Sequence, residues 1–318
     1  MTAIILVNWN GADDTIACLE SLDKAQGDFF VVVADNGSTD DSVERINGAV
    51  SKLSITVHVN PLGHNWGFAA GNNRGIEYAG RYNPDSYMLL NNDTEVEPDF
   101  LVRIEEYRRQ HPDVKILGPL INYWYDRNRI WSCGGNLSFG SRRLIFRETR
   151  ASELDKSPIK VSFISGCALY ADASLIDGDG HLLSERFFFG EEDFEFAHRM
   201  RKRGEKMVIL PDSVIYHKVG SSAKKMSDRA KLGRDYIYYL GKLLVIRDYY
   251  NPLSAAVIRL LSRRRCMQFF MKDGLDKRQA RTLVAKLMSD ARHKDEITYN
   301  DFKSVVIDGS FLTISDGN

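Results

Sequence analysis

The chain has 318 residues, enough for one large domain or a domain with an extension. Its 43 Lys and Arg balance its 43 Asp and Glu, so no global charge marks a nucleic acid as partner. Prolines number 8, and no low-complexity tract, solenoid-length repeat or apolar run near the roughly 20 residues that span a bilayer is present, which sets aside disordered, repeat and membrane-spanning classes.

Strand and helix patterns alternate through the first hundred residues. AIILV (3–7), FFVVVA (29–34), ITVHV (55–59) and SYMLL (86–90) are short, β-rich apolar runs of the kind buried in parallel sheets. Between them, DDTIACLESLDKA places Ile16, Leu19 and Leu22 at helical spacing, and STDDSVERI opens a second helix with Ser38 or Thr39 as candidate caps. AAGNNRGIEYAG is a third helix. EPDFLVRIEEYRRQ is a fourth, with Pro98 near its first position and Phe100, Leu101, Ile104 and Tyr107 on one face. This order predicts an α/β fold, a Rossmann-like, mostly parallel central sheet flanked by helices.

In such sheets ligands bind beyond the carboxyl ends of the strands. The segments leaving those ends are NWNGADD, DNGSTDD, NPLGHNWGF and NNDTEVEP, all rich in Asn, Asp and Gly. Turn chemistry explains any one of them; four on one rim point to a nucleotide-type site. No GxGxxG follows the first strand, which argues against a nicotinamide cofactor.

The second half is less regular. RIWSCGGNLSFGSRRL has the form of a glycine-broken hairpin, and KVSFISGCALYADA that of one or two strands. GEEDFEFAHRMRKRG runs from acids to bases and stops at Gly204, which suits a helix and its dipole. KMVILPDSVIYH predicts two short strands around Pro211 and Asp212. Beyond residue 222 the sequence turns aromatic, apolar and basic without alternation, which predicts domains at 1–221 and 222–318, the second a mainly helical C-terminal extension. Cys18, Cys133, Cys167 and Cys266 are scattered, so neither a zinc site nor a disulfide framework is indicated, and a cytoplasmic setting is expected. No signal peptide is expected at the start.

The motifs VNWNG, ADNGSTD, NWGFAAGNNRG, LLNNDTEVEPDF, ISGCALY, FFFGEEDFEF and VIYHKVGSS, in this order, resemble family 2 glycosyltransferases of the GT-A fold, nearest the bacterial rhamnosyltransferase-like branch. The resemblance covers roughly residues 3–222. It implies inverting transfer of a sugar, rhamnose from dTDP-rhamnose by preference, to a glycan or lipid-linked saccharide in surface polysaccharide synthesis. A UDP-hexose enzyme acting on a protein-linked glycan, or a sugar-nucleotide-binding protein without catalysis, are the alternatives. A nucleotidyltransferase would need a basic glycine-rich loop that VNWNGADD lacks.

The resemblance also implies roles. Asp93 and His217 hold a divalent cation, Mn²⁺ or Mg²⁺, although the family's Asp-x-Asp is here Asn91-Asn92-Asp93. One carboxylate and one imidazole are a sparse cage, so the donor's phosphates complete it. Asp193 is the general base and Glu192 orients the acceptor; without the resemblance these acids suit a helix N-terminus. Donor contacts fall to Val7, Asn8, Trp9, Asp35, Gly67, Asn72, Asn73 and Asn92, with Asp35 accepting the N3–H of the pyrimidine and Trp9 stacking on it. Trp131 and Gly166 join Glu192 on the acceptor side. In the extension, Arg263, Arg264 and Arg265 beside Leu260, Leu261, Phe269 and Phe270 suit either peripheral contact with the inner face of the membrane or packing on the catalytic domain or another subunit of a homo-oligomer.

Overall fold

The computed structural model describes residues 1–219 and 227–309. They form two compact units. The first comprises Met1–Ser138, Arg142–Ser184 and Phe196–Val219; the second comprises Phe139–Ser141, Glu185–Glu195 and residues 227–309. The expected boundary at residues 221 and 222 lies outside the described residues.

The first unit opens with β1 (Thr2–Asn8), α1 (Ala12–Leu22), β2 (Phe29–Asp35), α2 (Ser42–Val50), β3 (Val57–Pro61), α3 (Phe68–Ala79) and β4 (Ser86–Asn91). The four strands run parallel in the order β4-β1-β2-β3. Their period of two sorts side chains between two layers. Ala3, Ile5, Phe30 and Val32 enter one core with Ala69, Ile76 and Ala79 of α3. Ile4, Leu6, Val31 and Val33 enter the other with Cys18, Leu19 and Leu22 of α1. The α3 contact is close because of Gly75: a Cβ there would stand 2.5 Å from Cγ2 of Ile5.

The chain continues through β5 (Thr94–Val96), α4 (Phe100–Gln110), β6 (Ile116–Tyr123), β7 (Ile130–Ser132), the hairpin β8 (Gly135–Ser138) and β9 (Ser141–Leu144), β10 (Ile159–Val161), β11 (Ala168–Asp172), α5 (Glu192–Arg203) and β12 (Met207–His217). The sheet grows to ten strands along β10-β12-β6-β11-β4-β1-β2-β3, with β5 on β12 and β7 on β6. It is mixed: β11 is antiparallel to both β4 and β6, and β10 to β12.

Three local expectations change. Helix α2 begins at Ser42, not after Ser38 or Thr39, because the Ser38 hydroxyl is spent on Asp35. Pro98 stands before the Asp99 cap, outside α4. The segment around Pro211 is one strand of 11 residues whose register shifts between Leu210 and Val214. Proline has no N–H for a ladder, and a bulge absorbs it without breaking the strand.

The second unit is helical: α6 (Asp228–Tyr249), α7 (Pro252–Lys272), α8 (Lys277–His293) and α9 (Tyr299–Phe302). Leu240, Leu244, Ile258, Phe270, Leu283 and Leu287 are buried in it. The helix starts are chemically marked. Asn251 caps α7 with Pro252 in the first turn, and Asp276 with Gln279 forms a capping box on α8. The Tyr236 hydroxyl donates to Asp290 at 2.7 Å and ties α6 to α8. Among the described residues no helix is long and apolar enough to cross a membrane.

Candidate functional site

In the first unit the carboxyl ends of β1, β2, β3 and β4 share one rim with the start of β11, whose preceding Cys167 carbonyl accepts from the Asn91 N–H at 2.8 Å. Asn8 and Asp35 end β1 and β2 opposite each other and are buried. The Asn8 amide donates to Oδ2 of Asp35 at 2.7 Å and to the Ser38 hydroxyl at 3.1 Å. Asp35 also accepts from the Ser38 N–H at 3.0 Å and its hydroxyl at 2.6 Å, a turn held by the side chain. On the other side Thr15 of α1 donates to Oδ1 of Asn8 at 2.8 Å and accepts from the Asn92 amide at 2.8 Å. Asn8, Asp35 and Asn92 therefore belong to one hydrogen-bond chain from the tip of β4 to the tip of β2.

The next chain of bonds orders the entry to α3. Asn36 accepts from the Trp66 N–H at 3.0 Å and donates to Asn65 and the Gly67 carbonyl, each at 3.1 Å. Gly67, at φ 87°, stands where the chain turns into α3. A Cβ on Gly71 would lie 3.1 Å from Val7 and 3.2 Å from Asn36, so the bare helix start lets the strand ends come close. Trp9 projects from β1 with 51% of its surface exposed, available to stack. Asn72 and Asn73 face inward: Asn72 bonds the Phe68 carbonyl, and Asn73 grips the backbone of Leu182 and Leu183 through both ends of its amide. Those bonds give both asparagines a structural task.

Asp93 and His217 meet because of strand register. Thr94 of β5 pairs with His217 at the end of β12, and the Lys218 N–H donates to the Asp93 carbonyl at 3.0 Å. This sets Oδ1 of Asp93 3.0 Å from Nε2 of His217, with both side chains largely buried. Burial opposes charge on each. For His217, Cys167 and the hydrogen-bonded Asp93 outweigh burial and raise it to about 10. For Asp93, the His217 contact, then Lys218, outweigh burial and lower it. Nδ1 of His217 has no nitrogen or oxygen partner among the described residues, and the Trp131 ring sits edge-on at 4.5 Å. The buried Gly166 lies in the turn before Cys167, at the same rim.

A carboxylate oxygen and an imidazole nitrogen about 3 Å apart match two ligands of one cation. No group of three such ligands occurs among the described residues. Residues 220–222 of the VIYHKVGSS motif lie outside the described residues.

The acidic motif GEED is set at the start of α5. Gly190 and Glu191 take φ values of 84° and 71° in succession, an uncommon conformation for glutamate that turns the chain sharply into the helix. Glu191 is buried, and Gly241 of α6 leaves room for it: a Cβ there would lie 3.3 Å from the Cβ of Glu191. Glu192 and Asp193 occupy the first turn with Glu195, where the helix dipole favours acids. Glu195 accepts from the Tyr249 hydroxyl.

Four residues at the rim were not singled out from sequence: Thr15, Asn36, Cys167 and Lys218. Thr15 had a signal, being polar at the position three and four residues before Cys18 and Leu19 on the apolar face of α1. Lys218, paired with Asp14 at 2.7 Å, adjoins His217 in the motif itself. Asn36 and Cys167 are legible only from pairing.

A family model described as glycosyl transferase family 2 matches residues 3–176. No curated protein matches the chain. Among solved structures, residues 1–349 of TarS from S. aureus match at 17% identity and TM-score 0.58, over 96% of this chain and 90% of that one. The mannosyltransferase PcManGT from Pyrobaculum calidifontis, in complex with GDP-Man and Mn²⁺, matches at 13% identity and TM-score 0.57, over 98% and 84%. GalNAc-T7 with UDP, GalNAc and Mn²⁺ matches at 14% identity and TM-score 0.55; 68% of this chain is covered, and it spans only 43% of that chain.

Proposed function

The chain belongs to glycosyl transferase family 2, and we propose that it transfers a sugar with inversion from a nucleoside diphosphate to a hydroxyl acceptor. The observation that carries the reading is the buried Asp93–His217 pair at 3.0 Å, beside the hydrogen-bond chain through Asn8 and Asp35. The ligands named with the similar structures, UDP, GDP-mannose and Mn²⁺, support a sugar nucleotide and a divalent cation.

Asp93 and His217 would hold the cation. When bound, it would neutralise charge on the leaving diphosphate. Oδ1 of Asp35 keeps one lone pair for a pyrimidine N3–H while Ser38 and Asn8 fix its orientation. Trp9 offers its exposed face to the base. Asn92, held by Thr15, sets the turn that presents Asp93. On the acceptor side, Asp193 takes the hydroxyl proton and Glu192 orients the acceptor. Trp131, edge-on to His217, and Gly166 are further acceptor-side residues in this reading. In this reading residues 1–221 carry catalysis and residues 222–318 are the extension.

The donor we favour is dTDP-rhamnose, since Asn91-Asn92-Asp93 departs from Asp-x-Asp as the rhamnosyltransferase-like branch does, with a surface glycan or lipid-linked saccharide as acceptor. A UDP-hexose is the second reading, favoured by the UDP-GlcNAc complex of TarS. A thermal-shift panel of sugar nucleotides with and without Mn²⁺ tests both. The donor should raise Tm by mass action, and mainly with metal. A panel with no metal-dependent shift would remove the reading.

A further inference from the structure

One helix of the second unit breaks the usual rule for a surface. Helix α7 buries Ala255, Ile258, Ser262, Cys266 and Phe270. At about 100° per residue, Leu253, Val257, Leu260, Arg264 and Met271 fall on the opposite side. That side should be polar. Instead Leu253 is 77% exposed, Leu260 63% and Leu261 48%, with Val257 and Met271 each at 43%. Leu253, Val257, Leu260 and Leu261 crowd the first two and a half turns, too many for scattered exceptions, with Met271 exposed near the far end.

Charge flanks the stripe. Helix α7 contains Arg259, Arg263, Arg264, Arg265 and Lys272 and no acid. Residues 252–293, which span α7 and α8, hold ten Lys or Arg and three Asp, a net +7 in a chain whose total is zero. These arginines of α7 form no ion pair among the described residues. Arg259 and Arg263 join Arg292 of α8 around a groove of about 420 Å³ floored by Ala256, Leu260, Ala285 and Met288.

We propose that the solvent face of α7 is a docking surface for an anionic lipid bilayer, which takes the leucines at the level of its headgroups and sets its phosphates against the arginines. Leucines flanked by unpaired arginines are the pattern of a helix that lies in a membrane interface. A second copy of the chain suits the face less well, since it would set +7 against +7.

The test is co-sedimentation of the full chain with vesicles of phosphatidylcholine alone and with phosphatidylglycerol added. Binding is expected only with the anionic lipid, and should weaken as salt rises. The pair Leu253→Ser and Leu260→Ser, at exposed positions that leave circular dichroism and Tm unchanged, should lower the partition coefficient about tenfold or more. The pair Arg263→Glu and Arg264→Glu, an independent variant, should do the same. No binding to anionic vesicles would overturn the proposal. So would binding that the leucine pair leaves intact, which is ionic adhesion alone. Self-association on sedimentation that the leucine pair abolishes would assign the face to a second copy and overturn it as well.

Discussion

The rim of the parallel sheet and the outer face of α7 depart from the usual distribution of side chains in opposite directions. At the rim, polar groups are buried: Asn8, Asp35, Asn36 and His217 are all but closed off from solvent. On α7, leucines are exposed. Each departure carries a cost, since buried polar groups must be matched bond for bond and exposed leucines forgo burial. Asn8 and Asp35 meet that requirement through Thr15, Ser38 and Asn92, whereas the leucines on the outer face of α7 stay exposed. On the proposals above, both features serve ligands: a small polar one at the rim and a broad apolar, anionic one on α7.

The largest effect should come where the chemistry is most local. Asp193→Asn should lower kcat about 10²- to 10⁴-fold in a transfer assay while donor binding, followed by calorimetry, persists. Near-normal turnover would strip Asp193 of its role as base. Asp93→Asn should abolish the metal-dependent part of donor stabilisation in thermal shift and leave the metal-independent part, which rests on the Asn8–Asp35 chain.

Stability effects follow. Thr15→Val removes both the donor to Asn8 and the acceptor of Asn92, and should cost about 1–3 kcal/mol in urea unfolding. A similar loss, about 1–3 kcal/mol, is expected of Gly75→Ala, where the new Cβ meets Ile5 at 2.5 Å. A change below the error of the measurement in either variant would mean that the rim tolerates more slack than its bonds indicate.

Burial also sets a pH dependence. His198 of α5 is lowered from 6.5 to about 4, by burial first and by Arg201 second. Its native pKa lies below its unfolded one, so the unfolded chain takes up the proton first. This site therefore costs nothing above pH 6.5, and stability falls as pH drops from there to about 4. Urea midpoints should decline through that window, and less so in His198→Gln. Equal decline in both proteins would assign the acid limb to other groups.

Much of this was legible in the sequence. Strands β1, β2 and β4 are apolar runs that few alternatives to a buried parallel strand could accommodate, and with β3 they place four Asx-rich segments on one edge. Asp93 and His217 are paired in the sequence only by the family resemblance. What joins them is the register of β12 on β5, and register is set by pairing across more than a hundred residues, which local pattern does not encode. The same holds for Cys167, carried to the rim by β11, and for Asn73, whose inward grip on Leu183 is invisible in NNRG. The α2 cap was misplaced because Ser38 has two possible partners in sequence, and tertiary structure chose Asp35.

The central claim is that Asp93 and His217 form half of a cation site that a nucleoside diphosphate completes. Calorimetric titration of Mn²⁺ into the protein, with and without dTDP, addresses it directly. Binding should be weak alone, at least about tenfold tighter with the nucleotide whose phosphates supply the missing ligands, and lost in Asp93→Asn. Tight Mn²⁺ binding without nucleotide, or binding that Asp93→Asn leaves unchanged, would contradict the account.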